Sequence, residues 1–368
     1  MIRVCHMTSV HGAEDVRIFH KECVSLASAG YEVYLVECGK SFEKKGVHII
    51  GVGDIPTNRR KRMLYGTTAV YKAALATNAD IYHLHDPELL PYGLKLKRRG
   101  KMVIFDSHEN TATQILEKEW LPRYLRAVVY LFYNLYQKYV CSRLDAVISP
   151  HDFGCEYFKK INKRTVLVTN YPIFSDFTAS FEKIPNSICF AGGISELWCH
   201  EAIIRALEQL PASRYVLCGR SNPDYVARLA QLPGWSQTDF RGKLPHESVY
   251  PMLLSCCVGM SIVKYTRNGG GKRGTMANTK IFEEMMAGLP VVCTDFELWR
   301  EFVERWHCGI CVDPENVDEI ADAIRYLLDH PDEARRMGEN GRRAVEEEFN
   351  WAREEKKLLA LYREILRA

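Results

Sequence analysis

The chain has 368 residues, 47% of them hydrophobic and 26% charged, with a formal net charge of +3. That length exceeds one ordinary core, so two domains of about 170 residues each are expected. The absence of any low-complexity tract or of an apolar run near the roughly 18 residues of a membrane span excludes a repetitive or membrane-spanning chain.

Met1-Ile2-Arg3-Val4 opens directly into a strand rather than a signal peptide. The first half then alternates. The patterning predicts strands over 3–7, 32–37, 81–85, 102–106, 146–149 and 165–169, with helices over 16–29, around 72–77 and over 89–99. A long helical stretch, Leu121–Tyr139, precedes the last two strands. Such alternation implies a parallel sheet covered on both faces. The first strand-to-helix turn, Thr8-Ser9-Val10-His11-Gly12-Ala13, lacks G-x-G-x-x-G, which argues against an NAD enzyme. Trp120–Tyr139 is rich in aromatics and flanked by Arg123 and Arg126. It could touch a membrane interface, but the same spacing serves a helix packed on the sheet, and that is the reading taken.

A polar, proline-interrupted segment, 173–186, reads as a linker between an N-terminal domain (1–172) and a second domain (187–350). The second set alternates likewise, from a strand over 187–191 to one over 309–312. Helices follow over 317–328 and 331–348, and a final helix, 351–368, has room to run back over the first domain. Two doubly wound α/β domains would leave a cleft along the carboxyl ends of their sheets, where ligands bind in such folds.

Charge is uneven. Residues 1–170 carry 25 Lys/Arg against 17 Asp/Glu, and the remainder 24 against 29. The basic excess clusters at Arg59–Arg62 and at Lys95, Lys97, Arg98, Arg99 and Lys101. Such clusters attract anionic lipid at about 1 kcal/mol per residue, or form a solvated face. No base-reading motif accompanies them, so nucleic acid is not an expected partner. The 13 cysteines are scattered, and the single CxxC, Cys308–Cys311, has no second pair to complete a zinc site. Buried small hydrophobes in the reducing cytosol are expected.

Several groups of residues carry chemistry. Ala191-Gly192-Gly193-Ile194 is a strand running into a Gly-Gly turn, where backbone N–H groups can approach an anion. Gly219-Arg220 ends a neighbouring strand. Asn268-Gly269-Gly270-Gly271-Lys272-Arg273-Gly274 is a basic glycine loop leading to a helix with Asn278 as its expected N-cap and Gly288 at its end. It is no Walker A loop, since Thr266 lies five before Gly271 and Arg273 follows Lys272. In the first domain His83-Leu84-His85-Asp86-Pro87-Glu88 and Asp106-Ser107-His108-Glu109 sit at strand ends. Alternation puts His83 and His85 on one side, with His83 read as a core residue. Histidines with carboxylates can bind metal, but no metal is expected here.

The segment Asn278–Phe296 resembles the nucleotide-binding helix of retaining glycosyltransferases of the GT-B fold, family 4, through Lys280, Glu283, Met285, Gly288, Pro290 and Val291. The resemblance extends over essentially the whole chain. It implies two Rossmann-like domains facing across a cleft, and transfer of a sugar from a nucleoside-diphosphate sugar to a hydroxyl acceptor with retention. The donor is the only small molecule implied, with no metal or cofactor. The implied setting is bacterial surface-polysaccharide assembly on a lipid-linked acceptor, in the cytoplasm, peripheral on the inner face of the membrane.

By the same resemblance His85, Glu283 and Lys280 are the catalytic candidates. Gly192, Gly193, Gly219, Arg220, Lys264, Lys272, Arg273, Thr275 and Glu283 would hold the donor, Glu283 accepting the ribose hydroxyls. His11, Gly12, Arg17 and His108 would meet the acceptor, with Arg17 binding its phosphate or else pairing with Asp15. Glu284 is expected in solvent. The chain departs from the family twice. Glu196, Leu197, Trp198, Cys199 and His200 follow the Gly-Gly turn where the family places an Arg and a Lys, and Thr275 replaces the first of its paired glutamates. These departures keep two alternatives open: a catalytically silent subunit binding a partner or lipid carrier, and a nucleotide-sugar 2-epimerase.

Overall fold

The computed structural model describes residues 1–54, 62–108, 114–116, 122–175, 181–267 and 269–367, the side chains of Arg62 and His246 apart. Arg59–Lys61, Glu109, Trp120 and Asn268, singled out above, lie outside the described residues.

The chain divides into two compact units, Met1–Asn170 with Trp351–Ala368, and Tyr171–Asn350. The first is built on an eight-stranded sheet, β1 (Arg3–Met7), β2 (Glu32–Glu37), β3 (Phe42–Lys44), β4 (Val47–Gly51), β5 (Ile81–Leu84), β6 (Met102–Asp106), β7 (Ala146–Ser149) and β8 (Thr165–Leu167), in the order β3-β4-β2-β1-β5-β6-β7-β8. All pairings are parallel except β3 with β4. That hairpin escaped the sequence reading. Its two-residue turn, Lys45-Gly46, has positive φ at both positions, the backbone that suits a tight hairpin, but Lys-Gly is a weak turn signal.

The helices of this unit are α1 (Val24–Ser28), entered through wide π-type turns over Val16–Cys23, then α2 (Thr67–Ala76), α3 (Leu90–Arg98), α4 (Arg123–Cys141) and α5 (Asp152–Lys159). They cover both faces because the strand residues alternate: Val4 joins one core cluster, Cys5 and Met7 the other. The last helix, α13 (Trp351–Arg367), belongs to this unit. Its Leu358, Leu361, Tyr362 and Ile365 pack with Ile18, Leu26 and Val33. Trp351 Nε1 donates to Ser25 Oγ at 2.9 Å, and Glu354 Oε2 accepts the Thr169 N–H at 2.8 Å.

α4 corrects one expectation. Only Gln137, Val140 and Cys141 of its 19 residues are buried, while Tyr124, Val128, Leu131, Phe132, Leu135 and Tyr139 stand in solvent. The helix carries more apolar side chains than one sheet-facing stripe can cover, so burying one face leaves an apolar stripe outside.

The second unit is a six-stranded parallel sheet of β9 (Ser187–Ala191), β10 (Arg214–Cys218), β11 (Thr238–Gly242), β12 (Val258–Ser261), β13 (Val291–Thr294) and β14 (Gly309–Val312), in the order β11-β10-β9-β12-β13-β14. Its helices are α6 (His200–Leu207), α7 (Pro223–Leu229), α8 (His246–Leu254), α9 (Thr279–Met286), α10 (Glu297–Trp306), α11 (Val317–Asp329) and α12 (Pro331–Glu347). α5 and α10 were not foreseen. Gly288, at φ +72°, ends α9 as its position suggested. Asn278 occupies the N-cap with extended dihedrals, but its side chain makes no capping bond.

Leu358 has no exposed surface. Leu358→Ala should destabilise the first unit by about 2–5 kcal/mol and leave the transition of the second unchanged, read by urea unfolding with one probe in each unit. A loss confined to the second unit would contradict the placement of α13.

Candidate active site

In the first unit the chemistry gathers at the carboxyl ends of β1, β5 and β6. His6 and His83 are register partners on neighbouring strands, and the pleat brings His85 to the same side. His85 stacks on both His6 and His83, and those two rings tilt against each other, with centroids 4.6 Å apart for His6–His83 and His83–His85 and 5.1 Å for His6–His85. A hydrogen-bonded chain runs through them. Tyr362 of α13 lies 2.8 Å from His83 Nδ1 and 3.5 Å from His6 Nε2. His6 Nδ1 meets His85 Nε2 at 2.8 Å, and His85 Nδ1 meets His108 Nε2 at 3.0 Å.

Arg17, Asp106 and Glu22 close this cluster from below. The Arg17 guanidinium donates twice to Asp106 (2.8 and 3.1 Å) and once to the Val168 carbonyl at 2.9 Å, and lies 3.1 Å from Glu22 Oε1. Asp106 Oδ2 is also 3.0 Å from His108 Nε2. Burial opposes every charge here, so the titration is set by partners. Burial would raise the Asp106 carboxyl, but Arg17 and His108 hold it well below its ordinary value. Glu22 is pushed well above its ordinary value by burial and by the Asp106 charge, with Arg17 opposing. Burial lowers His85 to about 4 against the pull of Asp106, and drives His6 and His83 well below 6.5.

This geometry corrects the expectation for Arg17. Its side chain is 5% exposed and saturated by internal acceptors. It is unavailable to an acceptor phosphate, and its ion pairs are with Asp106 and Glu22. Asp15 instead caps the first helical segment, accepting the backbone N–H groups of Arg17 and Ile18 at 2.9 and 3.0 Å. The His85 ring has no exposed surface. The reachable imidazoles are those of His108, 16% exposed, and His11, 31% exposed. The first turn is tied down by the segment after His85: Asp86 accepts from Thr8 Oγ1 and the Ser9 N–H, and Glu88 from Ser9 Oγ. Space beside Gly12 is open.

Among the described residues two groups bring potential metal ligands within 4.8 Å of one another, His6/Glu22/His83/His85 and His85/Asp106/His108. The Arg17 guanidinium already serves as the cation beside both carboxylates.

In the second unit three backbone segments meet. β9 ends in Gly192-Gly193, β10 ends in Gly219 at φ +149°, and a Cβ on Gly219 would fall 1.5 Å from the Gly192 carbonyl oxygen. Only glycine fits there. A Cβ on Gly192 would meet Lys280 Cε at 3.0 Å, so the lysine of α9 lies along the glycine turn. Lys280 Nζ pairs with Glu283 Oε2 at 2.9 Å, both groups being about a third exposed. Burial pulls Lys280 down, but the Glu283 charge and hydrogen bond outweigh it and its pKa is raised. The turn, Gly219, Lys280 and Glu283 therefore form one constellation.

The remaining donor candidates stand elsewhere on the same unit. Lys272 and Arg273 offer their carbonyls to the Glu297 and Leu298 N–H groups, so the glycine loop caps α10 rather than α9. Lys272 Nζ lies 5.5 Å over the Tyr265 ring. The Thr275 carbonyl accepts Trp299 Nε1 at 2.9 Å, and its hydroxyl accepts the Ala277 N–H at 3.2 Å. Arg220, at the end of β10, and Lys264 are exposed. The Arg220 carbonyl holds Ile194 at 2.7 Å and the Lys264 N–H reaches the Leu197 carbonyl at 2.9 Å.

Glu284 is the second correction. It is 2% exposed rather than solvated, packs against Gly259 of β12, and accepts from Ser261 Oγ at 2.8 Å. Burial raises its carboxyl to about 8, with Ser261 opposing. Sequence reasoning also missed His6, Glu22 and Tyr362. His6 shares the strand parity that exposed His83 and His85, but no local pattern links residue 362 to residue 83.

A pair of doubly wound units, one with a glycine turn and a lysine at a helix start and the other with buried histidines at strand ends, defines the class of two-domain Rossmann-type proteins. The first unit matches the model of Glycosyltransferase Family 4 over residues 16–170, and residues 198–360 match a glycosyl transferase-like model. The chain belongs to the glycosyltransferases of the GT-B fold.

Over 81 residues, 22% of this chain and 20% of its relative, it is 37% identical to an MMP α-(1→4)-mannosyltransferase of Mycolicibacterium hassiacum. An uncharacterized glycosyltransferase of Methanocaldococcus jannaschii is 23% identical over 50% of this chain and 47% of its own length. The chain thus spans less than half of either relative. Sucrose-phosphate synthase from Thermosynechococcus elongatus shares the fold at a TM-score of 0.77, with 17% identity over 100% of both chains. Anabaena HepE, solved with UDP and glucose, does so at 0.69, with 14% identity over 99% of this chain and 100% of its own.

Gly219→Ala should fail to fold the second unit or abolish ligand binding there, because the new methyl meets backbone; soluble protein with wild-type melting would contradict the strand-end packing. Glu284 gives a prediction of opposite character. A carboxyl whose pKa rises from 4.5 unfolded to about 8 folded holds a proton that the unfolded chain has lost, so stability falls as pH rises from about 4.5 to 8. Glu284→Gln should flatten that part of the melting-temperature profile, and parallel profiles for the two proteins would contradict the buried neutral acid.

Proposed function

We propose that this chain is a retaining glycosyltransferase, moving a sugar from a nucleoside-diphosphate sugar to a hydroxyl acceptor. The observation that carries the reading is the Lys280–Glu283 pair lying along the Gly192–Gly193 turn. Backbone N–H groups and an ammonium suit a diphosphate, and a carboxylate three residues on suits a ribose diol. Lys280 supplies there the charge that the family draws from an Arg and a Lys after the turn. The UDP and UDP-glucose in the solved HepE complexes support the same donor class, and the mannosyltransferase relative supports transfer of a hexose.

In the reaction the bond from the anomeric carbon to the diphosphate oxygen breaks and one to the acceptor oxygen forms on the same face. The acceptor proton passes to the departing phosphate. Lys280 and the turn stabilise the charge that develops on the leaving group, so catalysis is positioning plus electrostatic preorganisation. His108 and His11 are the imidazoles able to meet acceptor or sugar, and His85 acts by orienting His108 through their hydrogen bond. No metal or cofactor enters. The setting we infer is bacterial surface-polysaccharide assembly on a lipid-linked acceptor, with the basic first unit drawn to the inner face of the cytoplasmic membrane.

One observation favours a second reading. Thr275 stands where the family has a donor-contacting glutamate, and its carbonyl and hydroxyl serve the local fold. A silent subunit would bind nucleotide and turn nothing over, and a 2-epimerase would interconvert donors without acceptor, so incubation with donor alone and with acceptor separates the three. Glu283→Ala should weaken nucleoside-diphosphate binding by about 1–3 kcal/mol through the lost ribose contact, measured by calorimetry; unchanged affinity would remove Glu283 from the site.

A further inference from the structure

The outward face of α4 has no partner among the described residues, and its makeup is specific. Tyr124, Val128, Leu131, Phe132, Leu135 and Tyr139 recur at i, i+4, i+7, i+8, i+11 and i+15, which is a single stripe along the helix. All are exposed, Tyr124 at 75% and Phe132 at 67%. The stripe runs from tyrosine to tyrosine with aliphatic residues and Phe132 between them. The helix carries Arg123, Arg126 and Lys138 and not one acidic residue. Arg143 follows just beyond its end, stacked 3.6 Å over the Tyr139 ring.

A second exposed apolar group lies on the same face of the sheet. Met63, Leu64 and Tyr65 immediately precede α2, with Leu64 at 67% and Tyr65 at 70% exposed. α2, α3 and α4 all pack on the cluster that contains Val70, Leu90 and Val140, and Tyr71 of α2 meets Tyr92 of α3 at 4.6 Å. Each of these helices returns antiparallel to its parallel strands. Residues 63–65 and the first turns of α4 are therefore at the same, carboxyl, edge of the sheet. Arg59–Arg62 immediately precede this second group in sequence.

We propose that this face, centred on the outward stripe of α4, docks the protein on an anionic lipid bilayer, α4 lying in the plane of the interface. The proposal rests on the membrane association inferred above and names the surface responsible. An apolar stripe of aliphatic and aromatic side chains with basic flanks and no acid is what an interfacial helix needs. Tyrosines at both ends suit the boundary between headgroup and acyl chain. Charge selects lipid over the other occupants. A second copy would bring the cations of α4 against themselves, whereas a negatively charged surface neutralises them. The helix does not cross the bilayer: among the described residues no helix is long and apolar enough to do so.

The test uses the full chain and vesicles of phosphatidylcholine with or without about one-third phosphatidylglycerol. Wild type should sediment with the anionic vesicles and much less with pure phosphatidylcholine. The double variant Phe132→Glu/Leu135→Glu, altered only at exposed positions, should keep its far-ultraviolet circular dichroism and lose vesicle affinity by about tenfold or more. In Phe132→Trp, the emission added over wild type should shift to the blue on vesicle binding. If wild type sediments but the double variant does so equally and the added tryptophan does not shift, membrane association stands and this surface is wrong. If wild type fails to sediment with either vesicle, both readings fall. A dimer in sedimentation equilibrium that Phe132→Glu/Leu135→Glu dissociates would assign the face to a second copy and overturn the proposal.

Discussion

Backbone must meet backbone at the carboxyl edge of the second sheet, and the rest of that site depends on this constraint. The Gly192 carbonyl occupies the space where any side chain at residue 219 would begin. With both strand ends reduced to bare peptide, the Phe190 ring and the aliphatic stem of Lys280 close on Gly192. The stem brings the ammonium to Glu283, and a phosphate arriving there would find a cation already held in place. Beneath them Glu284 anchors α9 to β12 through Ser261, in a setting that keeps it protonated near neutral pH. Two adjacent glutamates thus serve different ends, because the helix turns one toward solvent and the other into the sheet.

The first unit solves a different problem, the burial of charge. Taking Arg17 and Asp106 out of water costs more than their attraction returns unless every remaining donor and acceptor is used. Here Arg17 also reaches a carbonyl, and Asp106 also meets His108. Arg17 keeps Asp106 charged, while burial, with the Asp106 charge added, drives Glu22 toward its neutral acid. Burial also leaves the three histidines neutral, against the pull of Asp106. Tyr362 ties this network to the last helix, so the end of the chain helps to order residues near its start.

Much of this was legible in the sequence because it is periodic or local. Alternating strands and helices announced two doubly wound units, and Asn278 and Gly288 marked the ends of α9. Strand parity put His83 and His85 on one side. What escaped was set by contacts distant in sequence. Arg17, one turn into a helix, read as a cation for acceptor phosphate or a partner of Asp15, and only the placement of Asp106 at the end of β6 makes it internal. Glu284 looked solvated because a helix of eight residues gives little warning of which glutamate faces a glycine on the strand below. The aromatic helix α4 read as core because its apolar spacing is the same on both faces, and periodicity alone does not say which face the sheet will take.

The most direct measurement is calorimetric titration of the purified chain with UDP, GDP, ADP and CMP in turn. The account predicts that one nucleoside diphosphate binds at one site per chain and raises the melting temperature of the second unit. Binding of none of them, or binding that raises the transition of the first unit alone, would contradict it.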